Sequence, residues 1–104
     1  MAKENHAYLR REKELPERTK YFFGQFVHGA NKQILHPSDW KSFYVFIQAA
    51  HEGGTKLLQG ELISLLIDNG FPEGNAESLS NIYYHGRKLL QSKMRLNYIY
   101  NRKS

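Results

Sequence analysis

Hydrophobic residues recur along most of the chain at the spacing of helices. In three segments they lie three or four positions apart, which places them on one face of a helix. A His-Pro pair at 36–37, a Gly-Gly pair at 53–54 and an Asn-Gly pair at 69–70 bound these segments, and such pairs end helices or form turns. The pattern predicts helices over residues 16–33, 39–51 and 56–69.

A fourth helix is predicted over residues 76–92, where apolar residues again keep the helical spacing. After Met94 apolar and polar residues alternate, which is typical of a short strand. Ile99 breaks the alternation, so a longer helix is the alternative. Residues 1–14 are polar and charged and predict an N-terminal arm. The folded domain is then expected over residues 15–104.

The predicted order of elements is helix, helix, glycine-containing turn, helix and strand. This is the order in a winged helix-turn-helix domain, whose last helix enters the major groove of DNA. We therefore expect a mainly α fold, a small four-helix domain of winged helix-turn-helix type with a short C-terminal β-strand. The predicted turn, around residues 71–74, is longer than the three or four residues of the tightest form. The resemblance is to an architecture, and function does not follow from it alone.

The composition narrows the class of protein. With 104 residues, 40% of them hydrophobic, the chain suffices for one domain with its own core. It has no cysteine, which excludes disulfides, cysteine-based zinc sites and a thiol nucleophile, and fits a reducing compartment. No run approaches the roughly 18 apolar residues of a membrane span, and the start lacks the pattern of a signal peptide. A cytoplasmic protein without membrane contact is expected.

Positive charge is concentrated at the end of the sequence. Residues 1–20 hold six bases and four acids, and residues 21–74 hold three bases and five acids, so these two segments cancel. Residues 75–104 hold six bases with Glu77 as the single acid, which equals the net charge of +5 of the whole chain. A segment of this kind is the electrostatic footprint of a phosphate-backbone binder, and an ordinary solubilising surface is the alternative.

Motifs for catalysis or cofactor binding are absent from the sequence. Residues 53–56 read Gly-Gly-Thr-Lys, whereas a phosphate loop needs Gly-Lys-Ser/Thr after a longer glycine-rich turn. The five histidines are 22, 8, 15 and 34 positions apart, so no pair has the i,i+4 spacing of a helical metal site. Glu61 and Asp68 have no neighbouring base or nucleophile. We expect no enzyme activity, no cofactor and no metal.

Candidate binding residues lie on the polar side of the fourth predicted helix and in the segment after it. Tyr84 is about 100° round the helix from the apolar Tyr83 and is expected to be exposed. With Ser80 and Asn81 it is placed to meet base edges, whereas basic residues further along are placed to hold phosphates. The predicted nucleic-acid-binding residues are Ser80, Asn81, Tyr84, His85, Arg87, Lys88, Lys93, Arg95, Arg102 and Lys103.

The leading hypothesis is a small basic DNA-binding protein, either a helix-turn-helix regulator of transcription or a partition or replication accessory. The helix over 76–92 is expected to read the major groove of double-stranded DNA, and the C-terminal basic residues to anchor on phosphates. RNA remains an alternative ligand. Such domains commonly bind two-fold symmetric sites, so a homodimer is expected, through the first helix and its Phe22, Phe23 and Phe26.

Two other functions fit the same residues. One is a protein-interaction module or inhibitor that presents the basic, tyrosine-bearing face to an acidic partner. The other is a small nuclease that uses His85 with Tyr84 or Lys88. Composition does not separate these hypotheses from DNA binding.

Overall fold

The computed structural model describes the backbone of residues 12–103 and the side chains of residues 12–93. A single 3-10 turn at Glu12–Glu14 precedes four α-helices. These are α1 (Glu17–Gly29), α2 (Pro37–Glu52), α3 (Gln59–Asp68) and α4 (Glu73–Lys103). The prediction of a mainly α domain with four helices is confirmed. Of the predicted arm over 1–14, only that turn falls within the described residues.

The predicted C-terminal strand is wrong, because α4 continues as a helix through that segment. It has 31 residues and runs to Lys103, and residues 12–103 contain no strand. After Gly86 the sequence has no glycine or proline to stop a helix, so the alternation after Met94 is not accompanied by a turn signal. The wing of the predicted fold is therefore missing from the described chain. None of the described helices is long and apolar enough to span a membrane.

Acidic side chains fix where α2 and α3 begin. One carboxylate oxygen of Asp39 accepts hydrogen bonds from the backbone N–H groups of His36 at 2.9 Å and Asn31 at 3.2 Å. Pro37 takes the first position of α2, where a missing N–H costs nothing. Glu61 accepts likewise, at 2.8 Å, from the backbone N–H of the residue before α3. As a result α2 begins two residues before its predicted start, and α3 begins three residues after its own.

α1 and α2 pack against each other as an antiparallel hairpin. The ring centroids of Phe23 and Phe46 are 5.2 Å apart, and those of Phe26 and Phe43 are 4.8 Å apart. Positions in contact thus rise along α1 as they fall along α2. All four rings are at most 1% exposed. This hairpin supplies four of the aromatic rings in the core.

The surface predicted for a homodimer is largely used inside the domain. Phe23 and Phe26 are fully buried, and Phe26 also stacks on Phe71 with 5.5 Å between ring centroids. Phe22 is partly buried, with the Arg18 guanidinium carbon 5.8 Å from its ring centroid. The predicted interface is therefore wrong for Phe23 and Phe26, because α1 packs on two partners within its own chain.

α3 and the extended segment before it run back along α4. Residues 69–72 connect the two helices. Gln59 Nε2 donates to Asn81 Oδ1 at 3.0 Å, and Arg87 Nη1 donates to the Thr55 carbonyl oxygen at 2.8 Å. Contacts thus move toward the start of the chain as they advance along α4. This is the order of an antiparallel helical hairpin, and it does not confirm the wide angle between helices, about 90–120°, of a helix-turn-helix.

α2 joins the two hairpins by packing on α4. The rings of Phe46 and Tyr83 stack with 5.5 Å between centroids. One turn later Gly86 lies so close to Ile47 that a Cβ added to the glycine would be 3.2 Å from Ile47 Cδ1. The close approach explains why a glycine stands inside α4. The shared core includes Leu15, Phe23, Phe26, Val27, Phe43, Phe46, Ile47, Leu62, Leu65, Leu66, Phe71, Leu79 and Tyr83.

Candidate nucleic-acid interface

The rest of the domain covers two sides of α4 and leaves a third exposed. Tyr83 and Gly86 face α2. Tyr84 and Arg87 face the segment 55–58 that precedes α3. The exposed side carries Asn81, His85 and Lys88. Because α4 has two packing partners, its covered arc is wider than the single apolar stripe that the sequence displays.

Tyr84 is packed rather than exposed, contrary to the prediction. Its hydroxyl donates a hydrogen bond to the carbonyl oxygen of Leu57, and its ring meets that of Tyr83 edge-on at 5.3 Å between centroids. Burial raises the pKa of the Tyr84 hydroxyl, and the neighbouring Tyr83 and Glu61 raise it further, whereas Arg87 opposes them. The neutral hydroxyl holds the segment before α3 against α4, which leaves it unsuited to stacking on a base.

The guanidinium of Arg87 forms hydrogen bonds within the domain. Nη1 donates to the Thr55 carbonyl oxygen and to the Tyr83 hydroxyl, each at 2.8 Å. Cζ lies 5.6 Å from the centroid of the Tyr83 ring, and Nε is buried with no hydrogen-bond partner in the described part of the chain. Arg87 is thus held in place by its own chain. The sequence predicts a phosphate contact for this residue, whereas the structure engages its Nη1 atom within the domain.

Ser80 is fully buried, so its predicted contact with a base edge is wrong for this structure. Its hydroxyl oxygen has no hydrogen-bond partner among the described residues. Ser80 follows the core residue Leu79, and the wide covered arc of α4 takes in both positions.

The structure leaves Asn81, His85, Lys88 and Lys93 exposed, as binding would require of them. Asn81 and Lys88 are seven positions apart and lie on one side of α4, with His85 beside that line. The Asn81 amide oxygen also accepts the hydrogen bond from Gln59. Lys93 is five positions after Lys88, about 140° round the helix, so it lies on another side.

The backbone of α4 extends this side of the helix toward Lys103. Positions 88, 95 and 102 recur at intervals of seven in one continuous helix, so they fall on one side of it. At about 1.5 Å per residue they span roughly 21 Å. The side chains of Arg95, Arg102 and Lys103 lie outside the fully described residues. We call positions 81, 88, 95 and 102 the α4 stripe.

Charge around α4 changes sign along the length of the helix. Glu77 is exposed one turn before Asn81, and Glu61 lies at the start of α3 close to Tyr84. From Lys88 to the end of the sequence every charged residue is basic. A phosphate is repelled at the first end and attracted at the second. The end of α4 suited to anions is therefore the C-terminal one.

Lys56 lines the same cleft as Lys88, a placement that no signal in the sequence indicates. The segment 55–58 forms one wall of a cleft, and α4 from Tyr84 to Gln91 forms the other. Both lysines line this cleft, although 32 positions separate them along the chain. Only packing of the α2–α3 connection on α4 brings Lys56 to the basic side of the domain.

The arrangement separates His85 from the Tyr84 hydroxyl, whereas it keeps His85 and Lys88, the other pair of the nuclease hypothesis, on the exposed side of α4. The Tyr84 hydroxyl is directed at the Leu57 carbonyl oxygen, about 100° round the helix from His85. Among the side chains that the structure describes, no three His, Asp or Glu residues gather as a metal ion would need. His85 is exposed, and the structure does not bring it together with the reactive end of Tyr84.

Comparisons with known proteins add no family to this picture. No protein-family model matches the chain. A search of curated proteins and a search of solved structures each find no match.

Proposed function

We propose that this protein binds double-stranded DNA through the exposed side of α4, with phosphate contacts in its C-terminal half. The observation that carries the proposal is the α4 stripe, in which one continuous helix places Lys88 and the basic positions 95 and 102 on the same side. An α-helix fits the major groove of B-DNA, which is about 12 Å wide. Lysine and arginine residues along such a helix contact phosphates and release their counterions, which supplies most of the affinity.

The proposal assigns phosphate contacts to the basic end and a base contact to Asn81. Asn81 is exposed on the α4 stripe, and an asparagine amide pairs with adenine in the major groove. Ser80, Tyr84 and Arg87 are left out, because Ser80 is buried and the hydrogen bonds of Tyr84 and Arg87 within the domain are partly buried, whereas the bond from Gln59 to the Asn81 amide oxygen is exposed. Neither a wing nor a wide angle between α3 and α4 is needed.

Binding of this kind suits a cytoplasmic regulator of transcription or an accessory of DNA partition or replication. In a homodimer, two copies of α4 would meet the two halves of a symmetric site. Phe23 and Phe26 do not contribute to that dimer, since both are buried in the core of one chain.

Fluorescence anisotropy with a labelled duplex tests the proposal. Between about 50 and 200 mM salt we expect the logarithm of the affinity to fall linearly with the logarithm of the salt concentration. Lys88→Gln should weaken binding to every sequence and reduce the slope by about one, and Arg95→Gln and Arg102→Gln should behave alike. Lys41→Gln, an exposed position on α2, is the matched control and should change neither quantity. Affinity independent of salt, or no binding to any duplex, would refute DNA binding.

An acidic protein partner is the second candidate, and exposed apolar residues on α4 favour it. Ile82 is 38% exposed and Leu89 is 63% exposed, seven positions apart on one side of the helix. Apolar side chains next to basic ones suit a protein interface better than a phosphate backbone. On this hypothesis the protein ignores duplex DNA, and Leu89→Ser loses a partner that wild type retains after nuclease treatment, whereas Lys41→Gln keeps it.

A further inference from the structure

A second cleft opens at one end of the contact between α2 and α4. Its lining includes Trp40 of α2 with Ser78 and Leu79 of α4. Further along, Ile47 of α2 meets Gly86 of α4, so the contacts advance together on both helices. The volume of this cleft is about 290 Å³, roughly that of ten water molecules at about 30 Å³ each, which is room for one large side chain. The cleft is lined by the uncharged residues Gln33, Ile34, Leu35, Trp40, Phe71, Asn75, Ser78 and Leu79.

Large apolar side chains are exposed along both sides of this contact. In α2 and the connection before it, Ile34 is 71% exposed, Trp40 is 42% exposed, and Tyr44, one turn later, is 54% exposed. On α4, the exposed Ile82 lies one turn beyond the cleft, and the exposed Leu89 follows on the same side after seven positions. We call Ile34, Trp40, Tyr44, Ile82 and Leu89 the α2–α4 surface.

The area of the α2–α4 surface suits a contact between two copies of the chain. At these exposures its five side chains present roughly 500 Å². A stable interface of standard size buries about 800 Å² on each partner. The exposed polar residues at the cleft, such as Gln33 and Ser78, supply a rim for the remaining area.

The α2–α4 surface also combines a protruding side chain with a recess. Ile34 lines the cleft and is nevertheless the most exposed of the large apolar side chains that the structure describes. A two-fold contact requires a surface that is complementary to itself, because both copies use the same residues. Two copies can each place Ile34 against the cleft of the other, and the uncharged lining brings no like charges together there.

We propose that two copies of this chain associate through the α2–α4 surface. Asn81 and Lys88 each come one position before a residue of this surface, about 100° round the helix. The contact between copies therefore leaves the α4 stripe open at its edge. The use of this dimer on a symmetric DNA site rests on the proposed function, whereas the association of the two copies does not.

Sedimentation velocity and the fluorescence of Trp40 test the proposal on the full chain without DNA. Between about 1 and 100 μM we expect the monomer to give way to a dimer. Trp40 is the single tryptophan, so its emission should shift to shorter wavelengths over the same concentrations as the contact removes water from its ring. Because each copy carries a net charge of +5, added salt should strengthen the dimer, whereas it weakens DNA binding.

Variants of exposed isoleucines locate the contact. Ile34→Asp should weaken the dimer by about tenfold or more, because it places an unpaired carboxylate from each copy in the interface. Ile82→Ser, on α4, should also weaken it, and circular dichroism checks that both variants keep the helical fold. Ile67→Asp, at an exposed position on α3, is the matched control and should leave the dimer unchanged. A dimer that keeps its full affinity in Ile34→Asp, or that forms without a shift in the emission of Trp40, would overturn the proposal.

Titration of the same variants with a labelled duplex separates this inference from DNA binding. A dimer that Ile34→Asp weakens, in a protein that binds no duplex, would refute DNA binding and leave this inference standing. Salt-dependent duplex binding by a chain that stays monomeric at every concentration would overturn the dimer and leave DNA binding standing.

Discussion

Arg87 and Lys88 are adjacent in the sequence and both positively charged, but their side chains have different surroundings. Arg87 is bonded to the Thr55 carbonyl oxygen and the Tyr83 hydroxyl, whereas Lys88 is exposed on the α4 stripe. One position along a helix is a turn of about 100°, enough to carry a side chain from a covered arc to solvent. At the scale of single residues, the side of the helix decides whether a cation stabilises the fold or is free to bind a phosphate.

Asp39 is expected to make the stability of the domain depend on acid pH. The backbone N–H of His36 holds the pKa of the Asp39 carboxyl below its ordinary value, partial burial opposes this, and the N–H of Asn31 adds to the lowering. In the unfolded chain the pKa of an aspartate carboxyl is about 3.9. Because the folded-state pKa is lower, the stabilisation is complete above that pH and is lost as pH falls through the folded-state pKa.

Urea unfolding of wild type and Asp39→Asn across pH checks this. The difference in free energy of unfolding should be constant near neutral pH and should shrink below about pH 4. Asp68→Asn, at an exposed position at the end of α3, is the matched control for the loss of one carboxylate. A difference for Asp39→Asn that is the same at about pH 3 as at pH 7 would contradict the assignment.

At the scale of elements, the two halves of α4 differ in charge. Its first half packs on α2 and α3, and the segment before α3 reaches along it as far as Gln91. The second half continues the helix to Lys103 with only basic charged residues. A helix of a dozen residues is marginal in water, because nucleation is costly. Here the packed half supplies the nucleus, so the basic half only has to propagate.

Asn97→Pro tests whether DNA binding needs the helical structure of the C-terminal half of α4 in addition to its positive charge. Position 97 is nine residues after Lys88, about 180° round the helix from the α4 stripe, so no base is removed. Proline inside a helix breaks it. We expect circular dichroism to lose signal for roughly ten helical residues and duplex affinity to fall about tenfold, with Asn97→Ala as the control. Unchanged affinity in Asn97→Pro would show that DNA binding does not need the continuous helix.

At the scale of the whole molecule, two helical hairpins meet where α2 crosses α4. The stacked rings of Phe46 and Tyr83 and the contact of Gly86 with Ile47 form that junction. The same junction fixes the rotation of α4 about its axis. It thereby decides which residues join the α4 stripe and which face the segment 55–58.

Gly86→Ala tests how tightly this junction is packed. The added Cβ would lie 3.2 Å from Ile47 Cδ1 and 3.3 Å from Ile47 Cγ2, and Ile47 is fully buried. Overpacking should outweigh the gain in helix propensity and lower the free energy of unfolding by about 1 kcal/mol. Gly74→Ala, on the same helix with nothing within 4 Å of the added atom, should be neutral or stabilising.

A double-mutant cycle, measured by urea unfolding, tests the contact between Gly86 and Ile47 directly. Ile47→Val removes the nearest atom, Cδ1, so the combined variant should be more stable than the sum of the single changes by about 0.5 kcal/mol or more. Strict additivity, or a stabilising Gly86→Ala, would mean that α2 and α4 are not in close contact at this point.

The sequence by itself determined the number and order of the helices and the collection of positive charge after residue 75. Both are local properties, since periodicity reports one face of a helix and charge is counted along the chain. Local alternation was misleading after Met94, because a helix already nucleated continues where no glycine or proline stops it.

The tertiary structure alone decided which side chains of α4 remain exposed. A second packing partner widened the covered arc and took in Ser80, Tyr84 and Arg87. The same packing brought Lys56 to the cleft that Lys88 lines, from 32 positions away. Burial depends on how many neighbours a helix has and on its rotation against them. Neither quantity is encoded in the spacing of residues on that helix.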